Sequence, residues 1–181
     1  LVKTARLTGL AVSRDGKAYG TDGARLCRVE LASGKQTPVD APTLGRATAL
    51  AVDGDGNAVV ADAGPDRQIK AFAPTSGLRY TCGKKGGRPV RGAFEPQAVR
   101  EVSSLAADAA GHVWAVENWD FPRRVSVWNP KDGKLVRDYI GNTGYSGTGC
   151  YLHDSEPSLA YVGPIELKLD KASRTWQVSR I

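Results

Sequence analysis

Three carboxylates recur at one spacing in this chain. Asp22, Asp62 and Glu117 each stand six positions after a turn glycine, namely Gly16, Gly56 and Gly111. Two chemistries suit such a set. Carboxylates drawn to a common centre could collect a cation, whereas carboxylates at equivalent strand ends accept backbone or arginine donors and hold loops in place. A shared repeat position is what a structural role predicts, so the three are read as structural. The segment Asp53-Gly54-Asp55-Gly56-Asn57 looks like part of a calcium loop. It lacks the third acidic ligand and the later glutamate that such loops need, and it reads as a hairpin turn. His112 and His153 are the only histidines, so this chain by itself cannot build a three-histidine zinc or iron centre. Ser, His and acid residues form no nucleophile elbow. Gly83-Lys84-Lys85-Gly86-Gly87-Arg88 is not a phosphate loop, because no Gly-Lys-Ser/Thr opens a helix. No catalytic residue, metal site or cofactor is therefore assigned.

A second group of residues suits binding. Lys84, Lys85, Arg88, Arg91 and Arg123 lie in longer polar segments, beside Trp119, Phe121 and Tyr145. Guanidinium groups pair with acids, and aromatic rings stack on sugars or fill protein pockets. The bland alternative is that the lysines are simply solvated and that Trp119 and Phe121 pin their own loop.

The elements that carry these residues repeat. Leu10-Ala11-Val12, Leu50-Ala51-Val52 and Leu105-Ala106-Ala107 each precede a turn ending in glycine, and a second apolar run and a third alternating run follow. Their glycines at 16, 56 and 111 are spaced by 40 and 55 residues. Four short strands in a repeat of about 40 to 50 residues are the mark of a propeller blade. The reading is an all-β propeller of about four four-stranded antiparallel blades, one segment over 1–181 with blades near 7–39, 48–82, 103–140 and 150–181. The fourth is degenerate and lacks the Asp-Gly turn. In such a blade, the first-to-second and third-to-fourth turns leave one end, while the second-to-third loops and the inter-blade links leave the other. The tight Asp-Gly and Ser-Gly turns fall on the first end. The basic and aromatic segments fall on the second, which is expected to be the binding surface.

The second and third repeats resemble the NHL-repeat family of β-propellers. The likeness rests on Leu50-Ala51-Val52-Asp53, Asp55-Gly56-Asn57, Val59-Val60-Ala61-Asp62, Gln68-Ile69-Lys70-Ala71-Phe72 and Ser76-Gly77. Trp114-Ala115-Val116-Glu117 and Arg124-Val125-Ser126-Val127-Trp128 continue it. The glycine-rich link through Gly92-Ala93-Phe94-Glu95-Pro96 is similar to the family's connection into a following blade. The resemblance covers about two thirds of the chain and implies architecture rather than activity. Such rings usually close with about six blades, so four imply a part of a larger propeller, a ring that two chains complete together, or a four-bladed ring. Some NHL-like propellers are metal-dependent lyases; two histidines argue against that here.

Composition sets the remaining bounds. The chain has 181 residues, with 25 Lys and Arg against 19 Asp and Glu, a net charge of +6. This mild bias, spread through the chain, fits a solvated surface or attraction to an anionic polymer, with nucleic acid the less expected case. No run of 18 apolar residues is present, so no membrane span is expected. Three cysteines cannot all pair. Cys27, aligned with Ile69 and Val125, is read as a buried hydrophobe, while a Cys82–Cys150 disulfide is left open. The expectation is a non-catalytic binding or scaffold module of a larger extracellular, periplasmic or envelope protein. Its partner would be a protein, an anionic polymer or a carbohydrate, with self-association or neighbouring blades completing the ring. The alternative is a propeller hydrolase or lyase acting on a sugar, lactone or peptide derivative.

Overall fold

The computed structural model describes residues 6–75, 77–118, 122–141 and 150–181. Sixteen strands form four separate antiparallel sheets of four, each in simple sequence order. Blade one comprises β1 (Gly9–Val12), β2 (Ala18–Thr21), β3 (Leu26–Val29) and β4 (Gln36–Pro38). Blade two comprises β5 (Ala47–Val52), β6 (Ala58–Asp62), β7 (Gln68–Ala73) and β8 (Gly77–Cys82). Blade three comprises β9 (Val102–Ala107), β10 (Val113–Glu117), β11 (Arg124–Asn129) and β12 (Lys134–Ile140). Blade four comprises β13 (Cys150–Leu152), β14 (Leu159–Val162), β15 (Ile165–Asp170) and β16 (Thr175–Arg180). The described residues include no helix. This is the all-β propeller architecture that the repeat implies.

The turns follow from side-chain oxygens placed to satisfy them. Asp53 accepts the backbone N–H groups of Asp55 and Asn57 at 3.0 and 2.8 Å, and Asp108 accepts those of Ala110 and His112, both at 2.9 Å. Each closes its hairpin with the help of a glycine at positive φ, Gly56 at 79° and Gly111 at 86°.

Period-two alternation divides each middle strand between two cores. In β6, Ala58 and Val60 join Tyr19, Leu26, Val39 and Phe72 between blades one and two. The alternate residues Val59 and Ala61 join Ile69, Ala71, Cys82, Val99, Val102, Val113, Ala115 and Trp128 between blades two and three. Blade two is thus sandwiched, and all five residues of β6 are buried.

One alignment made from the sequence is corrected by the register. Cys27 pairs with Gly20, as Lys70 pairs with Val60 and Ser126 with Ala115. Leu26, not Cys27, therefore occupies the position of Ile69 and Val125. Cys27 is only half-buried. The second-to-third loops differ in length, and alternation alone leaves a one-residue slip undetected although it turns every side chain to the other face. All three cysteines are free, with Cys82 buried and Cys150 exposed. Burial pushes the Cys82 thiol up to about 12, so it is an inert core group.

The long link after blade two has a structural use. Phe94 N–H donates to Ser179 O at 3.1 Å, and Gly92 and Ile181 exchange two hydrogen bonds of 3.0 Å. The link so pairs with the end of β16 and ties blade four to the approach to blade three. Replacing Phe72 or Trp128 with alanine empties an inter-blade core and is expected to lower unfolding free energy by about 3–5 kcal/mol in denaturant titration.

Candidate functional site

The second-to-third loops and the inter-blade links converge at one end of the molecule. Gly86 N–H donates to Asp66 O at 2.7 Å, and Asn118 N–H to Glu101 O at 3.1 Å. The strand-end carboxylates organise this convergence. Asp62 accepts N–H donors from Gly45 at 3.2 Å, Arg46 at 2.8 Å and Gly64 at 2.8 Å. Its second oxygen holds Lys70 Nζ at 2.7 Å, and Lys70 also reaches Asp66 at 2.8 Å and the carbonyl of Thr43. The link and the loop cross here with no room for a side chain. A Cβ on Gly64 would lie 2.7 Å from the Gly45 Cα and 2.9 Å from an Asp62 oxygen.

Glu117 repeats this arrangement more elaborately. It accepts Arg100 N–H at 2.8 Å, Arg88 Nη2 at 3.0 Å, Arg124 Nη1 at 3.1 Å and Ser126 Oγ at 3.4 Å. Arg124 also bonds Asp138 at 3.0 Å and the carbonyl of Ala98 at 2.9 Å. The guanidinium groups of Arg88 and Arg124 lie 5.3 and 5.6 Å from the Phe94 ring centroid. Such contacts stabilise a cation that water no longer reaches. Asp22 is the exposed version of the same device, accepting Ala24 N–H at 3.0 Å, Arg25 N–H at 2.7 Å and Arg25 Nε at 3.0 Å.

These surroundings fix protonation. Burial opposes charge on Asp62, yet the donors from Arg46, Lys70, Gly64 and Gly45 outweigh it and hold the carboxyl below its ordinary value. Burial likewise opposes charge on Lys70, and its bonds to Asp62 and Asp66 raise it above the ordinary ammonium range. Burial lowers Arg88 despite its partner Glu117. No group of three His, Cys, Asp or Glu among the described residues is arranged to hold a metal ion.

The proposed binding residues separate into three sets. Lys84, Lys85, Arg91 and Arg123 are exposed at this end. Lys84 contacts Glu95 at 2.6 Å and Lys85 contacts Asp66 at 3.2 Å. Arg88 is 0 % exposed and serves Glu117, so its guanidinium is not offered to a partner. Its place in a glycine-rich polar run gave no sign of burial, because the acid that draws it inward is 29 residues away. Trp119, Phe121 and Tyr145 lie outside the described residues.

Lys70, Arg100 and Arg124 were not singled out from the sequence, although a faint signal existed. A base follows each repeat carboxylate, as Arg25, Lys70 and Arg124. The opposite end is also less bare than its short turns imply. An open groove of about 350 Å³ lies between the turn ends of blades two and three, lined by Asp53, Asp55, Tyr80, His112 and Lys131. Tyr80 donates to Asp53 at 3.0 Å, and Trp114 Nε1 to Asp108 at 2.8 Å.

No protein-family model matches the chain, and no curated protein does. Solved structures resemble it in fold. A chain of the Kuenenia stuttgartiensis hydrazine synthase superposes with a TM-score of 0.57 at 16% identity, over 100% of this chain and 51% of that one. The virginiamycin B lyase of Staphylococcus aureus, solved as an inactive variant with quinupristin, gives 0.52 at 14%, over 97% and 56%. A chain of a nidogen–laminin complex gives 0.55 at 16%, over 95% and 74%. The chain thus spans about half to three quarters of the length of these propeller-type proteins.

Two measurements probe the carboxylate sites. Arg88→Ala strips Glu117 of a buried partner and is expected to cost about 3–5 kcal/mol, whereas Lys84→Ala should leave the melting temperature unchanged. Asp62 titrates lower folded than unfolded, so its contribution is complete above the unfolded value and is lost as pH falls through the folded one. Asp62→Asn should be less stable at neutral pH and lose less stability on acidification, as read from melting curves across pH.

Proposed function

We propose that this chain is a non-catalytic binding and scaffold module of the NHL-like kind, part of a larger secreted or envelope protein or assembly. Its partner is a protein or an anionic or carbohydrate-bearing polymer. The observation that carries this reading is the division of labour at the link end. Asp62, Glu117, Lys70, Arg88 and Arg124 are buried and turned toward one another. Lys84, Lys85, Arg91 and Arg123 stay at the surface of the same loops. Interior charges that satisfy one another make a rigid platform, and Lys84, Lys85 and Arg91 stand at the surface of the loops tied to it, where an anion can reach them. The surface pairs of Lys84 and Lys85 are weak in water and yield readily to a partner's acids. The nidogen–laminin complex is a protein–protein assembly with a similar fold, which agrees with this reading.

Heparin serves as the test polyanion. The chain is expected to elute from a heparin column at a salt concentration that falls clearly when Lys84, Lys85 and Arg91 are replaced together by alanine, with thermal stability unchanged. Elution that is indifferent to the triple substitution, or a loss traced instead to Lys131 at the turn end, would overturn the reading.

A further inference from the structure

The groove at the turn end has a size and a charge pattern that the basic loops of the link end leave unused. It lies between the hairpin turns of blades two and three, and its volume is about 350 Å³. Clefts that hold small ligands usually run from about 300 to 1,000 Å³. One wall belongs to blade two and presents Asp53, Asp55 and Tyr80, while the other belongs to blade three and presents His112 and Lys131.

These groups divide into those spent on the frame and those left over. Asp53 accepts Asn57 Nδ2 at 2.9 Å and the Tyr80 hydroxyl at 3.0 Å. Burial and the nearby charge of Asp53 push the Tyr80 phenol up, so it stays protonated and keeps that donor role. His112 holds its Nδ1 at 3.4 Å from Asp108. Asp55 and Lys131 are placed differently. Each has its backbone N–H pinned by the side chain two residues earlier, Asp55 by Asp53 Oδ1 at 3.0 Å and Lys131 by Asn129 Oδ1 at 3.0 Å. Among the described residues, neither the Asp55 carboxylate nor the Lys131 ammonium has a hydrogen-bond or ion-pair partner. An anionic wall thus stands across the groove from a cationic one, and the two charges do not neutralise each other.

We propose that this groove binds a zwitterionic dipeptide, with its α-ammonium on Asp55 and its α-carboxylate on Lys131. A ligand with separated opposite charges satisfies both walls at once. A ligand with one charge satisfies one wall and is repelled by the other. In a single amino acid both charges sit on one carbon, whereas the ends of an extended dipeptide stand about 7 Å apart, which suits charges on separate walls. Turns closed by their own side chains hold the two walls before the ligand arrives, so little ordering is required on binding. The site lies at the opposite end from the exposed cations of the links, so it stands or falls apart from the polyanion reading.

Gly54 offers a way to close the groove without touching its charges. It lines the groove, it is not among the glycines at positive φ, and a Cβ placed on it meets no heavy atom within 4 Å. The same repeat position carries Arg14 in blade one and Ala109 in blade three, so the turn accepts a side chain there.

Titration of the isotope-labelled chain with L-alanyl-L-alanine, followed by backbone amide NMR, tests the proposal. The expected result is a saturable set of shifts centred on Gly54, Gly111, His112 and Lys131. The N-acetylated and the C-amidated dipeptides should each bind about tenfold more weakly, since each loses one charged hydrogen-bonded contact. Asp55→Asn should bind the free and the N-acetylated dipeptide alike, and Lys131→Gln the free and the amidated one alike. Gly54→Phe should abolish the shifts with the melting temperature unchanged. No saturable shift at the groove, equal binding of the blocked dipeptides to the unaltered chain, or Asp55→Asn and Lys131→Gln chains that keep the full discrimination would overturn the proposal. Should Gly54→Phe not fold, the blocked dipeptides on the unaltered chain carry the same decision.

Discussion

A carboxylate drawn into the interior must be matched by donors or it destabilises the fold that buries it. Blades two and three are built around that requirement. Asp62 and Glu117 sit where a strand ends, so the incoming link and the third strand reach both of them, and the loop that follows reaches Asp62 as well. Among the described residues, their backbone N–H and side-chain donors compensate the lost water. Satisfying the charge therefore fixes where each link runs. The hydrophobic cores hold neighbouring sheets together, but those contacts are non-directional. The carboxylates supply the direction.

The same constraint explains an unusual concentration of interior cations. Lys70, Arg88 and Arg124 are all buried, and each touches at least one acid. Breaking such a group by removing one member is costly, because what remains is an unmatched charge in a low-dielectric site. The arrangement is consequently more a device for specifying geometry than a large source of stability. Blade one uses the same carboxylate position at the surface, where Arg25 stays mostly in water. Asp22 is only half-buried, whereas Asp62 and Glu117 are buried.

Coverage also governs what the molecule can do. Blade two has neighbours on both faces and contributes to both cores. Blades one and four each keep apolar residues in water. The link end carries its exposed cations on loops tied down beneath, while the turn end is closed by aspartates capping their own hairpins and by phenol and indole donors. The two ends thus offer different chemistry on one rigid frame.

The sequence by itself determined the repeat and, through it, the architecture. Turn glycines, apolar runs of period two and the recurring acid are local signals, and each survives into a strand, a hairpin or a strand end. It also placed the polar links and the second-to-third loops on one end, since strand order in a blade leaves no alternative. What it did not determine was which members of a polar run go inside. Arg88 and Lys84 stand four residues apart in the same glycine-rich stretch, yet one is wholly buried and the other projects into water. The difference is made by Glu117, remote in sequence and brought close only when blade three packs on blade two. Register was hidden for a related reason. Cys27 alternates in phase with Val29 and Leu31 whichever way the strand is turned, and only pairing with Gly20 shows which face it takes. Periodicity is a property of one segment, whereas burial of charge and choice of face are properties of two segments in contact, and those only the tertiary structure decided.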